Sequence, residues 1–116
     1  MRSILVVDDY GPFRLVVREM LERDGFRVVG EASDGSGAVD GVLALRPDVV
    51  LLDVHLPGDD GFMVCERLQA LSPAPQVVLT SSHDASDLGP MVEGSNFIPK
   101  SELSGEALRR ILDDQP

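Results

Sequence analysis

The sequence predicts an α/β sandwich in which a five-stranded, mostly parallel sheet carries helices on both faces. Three observations lead there. Short apolar runs alternate with longer amphipathic segments along the chain, the pattern of repeated strand–helix units. The runs are continuously apolar, as strands covered on both faces must be. Finally, polar residues suited to chemistry stand directly after four of the five runs, where sites lie in such sheets.

Each element has its own signal. Residues 4–7, ILVV, form a strand rich in β-branched residues. From 12 to 23, Phe13, Val16, Val17, Met20 and Leu21 recur at helical spacing, and Asp24-Gly25 ends that helix. Residues 26–32 read as the second strand. Ser36 is the expected N-cap of a helix running through Leu45 and stopped by Pro47. The third strand is 49–52, and a third helix covers 61–71 with Phe62, Cys65, Leu68 and Leu71 on one face. Residues 77–79 make the fourth strand and Phe97-Ile98 the core of a short fifth. Ser104 caps a last helix, whose stripe is Leu108, Ile111 and Leu112; Glu106 near its start and Arg109 and Arg110 near its end suit the helix dipole.

Bulk properties narrow the function. With 116 residues, 43% hydrophobic and 26% charged, the chain reads as one domain, 1–116, with a single buried core and no need of disulfides. Its one cysteine, Cys65, fits a reducing compartment and is expected on a helix face or in the core, with nothing nearby to activate a thiol. No apolar run approaches the ~20 residues of a membrane span, and none resembles a signal peptide; a cytoplasmic location is expected. The net charge of -10, from 20 acids against 10 bases, disfavours direct binding of nucleic acid, and no membrane contact is expected.

The informative residues are Asp8 and Asp9 after strand one, Asp53 after strand three, Thr80 after strand four and Lys100 after strand five. The motifs "VVDD", "DVHLPGDDG" with Pro57 and Gly61, "VVLTS" and "FIPK" occur in this order across the whole chain. With them the sequence resembles the CheY-like receiver domain of bacterial two-component response regulators. The "GEASDG" at 30–35 and the "PKSEL" after strand five look like receivers that precede a helix-turn-helix output domain.

The resemblance implies a flavodoxin-like, doubly wound sheet of order 2-1-3-4-5, which brings strands one and three together. Close carboxylates repel, and a proton or a divalent cation relieves them. By resemblance the cation is Mg2+, held directly by Asp9 and Asp53, through water by Asp8, and by the backbone carbonyl of His55. Asp53 is then the phosphoacceptor, taking a phosphoryl group from a sensor histidine kinase; Lys100 and Thr80 contact that group. Thr80 and Phe97 form the switch, with Phe97 rotating into space that Thr80 vacates. The domain would act as a signalling phosphoacceptor that assists only its own phosphorylation and dephosphorylation. Further partners implied are a second copy of the chain and an output domain, attached or separate.

Two other readings compete. A haloacid-dehalogenase-type phosphatase also forms an aspartyl phosphate, but needs an acid two residues after its nucleophile, where this chain has His55. A receiver-like scaffold that is never phosphorylated would not need the acids, Thr80 and Lys100 together. Neither His55 nor His83 has a partner spaced for a metal held through imidazole.

Two departures from the family pattern stand out. Ser101 follows Lys100, where the family carries proline and a cis peptide. Between Thr80 and Phe97, "SSHDASDLGPMVEGSN" places Gly89-Pro90 in the path of the fourth helix. Proline in a helix interior costs about 3 kcal/mol, so that helix is expected to be short or irregular.

Overall fold

A computed structural model describes residues 2–82 and 96–113. The strands of the main sheet are β1 Ser3–Val7, β2 Arg27–Ala32, β3 Val49–Asp53, β6 Gln76–Ser81 and β7 Phe97–Pro99, joined in the order β2-β1-β3-β6-β7, while β4 His55–Leu56 and β5 Asp59–Asp60 pair apart from it. Every neighbouring pair in the main sheet is parallel. This is the five-stranded, doubly wound order expected from the resemblance. Helices α1 Gly11–Arg23, α2 Gly35–Leu45, α3 Gly61–Gln69 and a last helix, Gly105–Asp113, complete the described elements. The expected irregular fourth helix, and His83, fall within 83–95, outside the described residues.

The central strands β1, β3 and β6 are largely apolar because each alternates its side chains between two cores. Leu5, Val7, Val50, Leu52, Val77 and Leu79 pack on one side with Ala38 and Val42 of α2 and Val64, Cys65 and Leu68 of α3. Ile4, Val6, Val49, Leu51 and Val78 pack on the other with Val17 and Leu21 of α1 and Leu108 and Leu112 of the last helix. Cys65 is buried as expected; burial, aided by the charge of Glu66, pushes its thiol up, away from reactivity.

Several boundaries move by a residue or two. Phe26 precedes β2, its N–H closing the α1 turn on the Leu21 carbonyl at 2.9 Å. β3 runs on to Asp53, and α3 ends at Gln69 rather than at Leu71. The N-cap of α2 is Asp34, not Ser36. The Asp34 side chain accepts from the Gly37 N–H at 2.7 Å, and a carboxylate also complements the helix dipole. Ser104 caps the last helix as expected, accepting from the Ala107 N–H at 3.0 Å.

One long-range tie joins the second core's two helices. Asp24, at the end of α1, accepts from the Gly105 N–H at 3.1 Å, and Arg109 donates to the Asp24 carbonyl. A Cβ on Gly105 would stand 2.3 Å from the Asp24 side chain, so the helix start sits directly against the end of α1.

Candidate functional site

β1 and β3 are adjacent and in register, Val7 opposite Leu52, so the residues that follow them emerge side by side at the carboxyl edge of the sheet. Asp8 and Asp53 are buried there, while Asp9 is exposed. One carboxylate oxygen from each of the three lies within 4.8 Å of the others. The acids that the sequence singled out do meet.

Local structure fixes each carboxylate. Asp8 Oδ1 accepts from the Tyr10 N–H at 2.9 Å, and Asp53 Oδ1 from the His55 N–H at 2.9 Å. Both are Asx turns, in which an acid caps backbone two residues on. After Asp53 the chain folds into a small antiparallel hairpin, β4 His55–Leu56 and β5 Asp59–Asp60, with Gly58 at φ 70° in its turn. Sequence reading missed this hairpin, because two-residue strands leave no periodic pattern. Gly61 explains its place in the motif: a Cβ there would stand 2.3 Å from Val54 Cα and 2.7 Å from the Asp53 carbonyl. The start of α3 therefore packs against the backbone that carries Asp53.

Lys100 completes the cluster from β7. It lies in a 3-10 turn, Lys100–Glu102, and the cis peptide among the described residues is Ser72–Pro73. Its Nζ stands 2.7 Å from Asp8 Oδ2 and 3.1 Å from Asp53 Oδ2. Asp8 Oδ2 is buried and accepts no aligned hydrogen bond among the described residues, so its contact with Lys100 is an ion pair off the hydrogen-bonding direction. The ring of Phe13, on α1, faces the same ammonium at 4.2 Å from its centroid. No local sequence signal announces that contact.

The electrostatics follow from burial. Desolvation raises the Asp53 pKa above its ordinary value. The His55 N–H pulls it down, Asp8 pushes it up again, and Lys100 lowers it, with a net rise. For Lys100, burial opposes the charged form, but the close contacts with the Asp8 and Asp53 carboxylates outweigh it and raise its pKa. An acid that resists ionisation beside a lysine that keeps its proton is a site short of positive charge.

Thr80 is opposite Asp53 in the β3–β6 register. Its buried hydroxyl donates to the Ile98 carbonyl on β7 at 2.8 Å. The structure therefore brings Thr80 beside Asp53 but directs its hydroxyl to β7. Phe97 is half-buried against the first core.

A parallel sheet presenting an acid cluster and one lysine at its carboxyl edge is the architecture of an acid-pocket signalling domain, and comparison with known proteins makes the class specific. The profile of the response regulator receiver domain family matches residues 4–111. The chain belongs to that family. It is 33% identical to the transcriptional regulatory protein PdtaR of Mycobacterium tuberculosis, over 95% of this chain and 60% of that protein. It is 37% identical to a protein-glutamate methylesterase/protein-glutamine glutaminase of Alkalilimnicola ehrlichii, over 96% of this chain and 31% of that protein. Among solved structures, the signal receiver domain of NarL from Mycobacterium tuberculosis superposes with a TM-score of 0.81 at 33% identity, covering 97% of this chain and 94% of that one. A LuxR-family two-component response regulator from Aurantimonas superposes at 0.84 with 26% identity, covering 97% and 84%. The chain spans 24%, 54% and 31% of the length of three of the curated relatives it matches. The receiver fold is a signalling domain, and no described helix is long and apolar enough to cross a membrane.

Proposed function

We propose that this receiver takes a phosphoryl group from the phosphohistidine of a sensor histidine kinase onto Asp53, in the cytoplasm. The observation that carries the reading is the convergence of Asp8, Asp9 and Asp53 within 4.8 Å around a carboxylate that Lys100 also contacts. An Asp53 oxygen bonds to phosphorus as the phosphorus–nitrogen bond of the donor breaks, and the departing imidazole is protonated. The His55 N–H holds the other rotational end of the carboxylate, so the nucleophile is presented in one orientation.

The donor set fits a hard divalent cation, because carboxylates cluster here and the buried Asp8 Oδ2 still has lone-pair capacity. Asp9, Asp53 and the backbone carbonyl of His55 would hold Mg2+, with Asp8 acting through water. When bound, the ion offsets the charge of the phosphoryl oxygens. Lys100 supplies the second positive charge.

Thr80 then acts as a switch with a defined cost. Its hydroxyl has to leave the Ile98 carbonyl to donate to a phosphoryl oxygen, and that exchange loosens β7 next to Phe97. The resulting change of surface is passed to a second copy of the chain or to an output domain, attached or separate. The domain itself, at a charge of -10, does not bind DNA.

Incubation with Mg2+ and acetyl phosphate, followed by intact-mass measurement, tests the assignment. One phosphoryl adduct is expected in the native chain and none in Asp53→Ala; an adduct that survives the substitution would sink the assignment. Turnover of p-nitrophenyl phosphate would favour the phosphatase reading instead.

A further inference from the structure

We infer that Phe13 is a positioning residue for Lys100, its ring face holding the ammonium over the Asp8–Asp53 pair; the inference rests on the reading of Asp53 as phosphoacceptor. Three walls surround Nζ: Asp8 at 2.7 Å, Asp53 at 3.1 Å and the Phe13 ring at 4.2 Å. A lysine ammonium sits on a flexible stem with no preferred direction of its own. The two acids pull it into the cluster, and the negative face of the ring adds attraction from α1. The Lys100 side chain is only 21% exposed and Asp8 1%, so solvent screens these contacts poorly. Among the described residues lining this cleft, Lys100 is the only lysine or arginine. Whatever fixes its head group therefore fixes the cleft's one permanent positive charge.

Phe13 stabilises the arrangement in which the ammonium occupies both carboxylates, and so opposes a divalent cation at those oxygens. The same ring keeps the ammonium within reach of an arriving phosphoryl group. Removing the ring should thus act in opposite directions: cation affinity rises while phosphoryl uptake slows. Simple packing damage would weaken both. The distinction matters because Phe13 also packs against the second core.

Lys100 is the only lysine in the chain, so 13C-lysine labelling gives one side-chain Cε–Hε signal. In metal-free wild type that signal should lie upfield, shifted by the ring current of Phe13. Phe13→Leu should abolish the shift and Phe13→Tyr keep it. At saturating Mg2+, Phe13→Leu should slow phosphorylation by phosphoramidate about fivefold, and calorimetry should show Mg2+ binding about twofold tighter. Phe13→Tyr should restore both values. Should Phe13→Leu fail to fold, Phe13→Met keeps the apolar bulk without the ring. An unshifted lysine signal in wild type, or a joint loss of Mg2+ affinity and phosphorylation in the Leu or Met variant, overturns the inference. If wild type takes up no phosphoryl group, the functional reading falls, while the lysine signal still decides whether Phe13 holds Lys100.

Discussion

Asp48 and Asp53 flank a single strand, and the fold treats them in opposite ways. Asp48, just before β3, is exposed and exchanges bonds with Ser3: its Oδ2 accepts from the Ser3 N–H at 2.9 Å and the Ser3 hydroxyl at 3.1 Å. Its own N–H donates back to Ser3 Oγ at 2.9 Å. Asp53, at the other end, is buried beside a second buried acid, with one neighbouring N–H and a shared lysine. One acid ties β1 to β3 through the backbone N–H and hydroxyl of Ser3. The other shares its lysine with Asp8, and its charge is left under-compensated. The difference separates an acid that stabilises from the one proposed as phosphoacceptor.

The comparison can be broken most sharply through phosphoryl uptake. Asp53→Asn is expected to reduce incorporation from acetyl phosphate to background, while Asp48→Asn leaves it within about twofold. Equal loss in both variants, read by intact mass, would remove the contrast.

Next in size is the response to Mg2+. A cation bound only by the folded state stabilises it by RT ln(1 + [L]/Kd), about 2.7 kcal/mol at a hundredfold excess over Kd. Wild type and Asp48→Asn should both melt several degrees higher with Mg2+, and Asp53→Asn or Asp9→Ala far less. A shift of the same size in all four would place the cation elsewhere.

A smaller effect of opposite sign is expected without metal. The folded pKa of Asp53 is raised above 3.8, so the folded state binds this proton more tightly than the unfolded chain. The stability from that proton is full below 3.8 and is lost as pH rises through the folded pKa. Asp53→Asn removes the penalty and should melt above wild type at neutral pH in EDTA, the gap closing as pH falls through the same window. Asp48→Ala should lower stability, by about 1 kcal/mol for its exposed hydrogen bonds. Melting curves across pH that show Asp53→Asn below wild type at neutrality would contradict the assignment of Asp53 as the under-compensated acid.

The sequence made the sheet and its acids legible because both are local signals. A strand buried on two faces is continuously apolar, and the polar residues at its carboxyl end are read directly, as Asp8, Asp53, Thr80 and Lys100 are. What escaped was decided by contacts between distant segments or by competition between near equals. Asp34 and Ser36 both suit an N-cap, and the charge of Asp34 wins. The Thr80 hydroxyl could serve β7 or the acid pocket, and only the Ile98 carbonyl at 2.8 Å shows which it serves here. The meeting of Phe13 with Lys100 depends on how α1 lies across the second core, which no periodicity encodes.

The tie between Asp24 and Gly105 has a mechanical consequence. From Lys100 a short turn leads to Gly105, Gly105 is clamped to Asp24, and α1 runs back from there to Phe13, whose ring faces Lys100. These segments form a closed ring. A helix of 13 residues is a stiff strut of about 20 Å, so a tug on the last helix returns through α1 to the ammonium. Cutting the ring at Gly105, where even one methyl group has no room, would let the two ends of the circuit move independently.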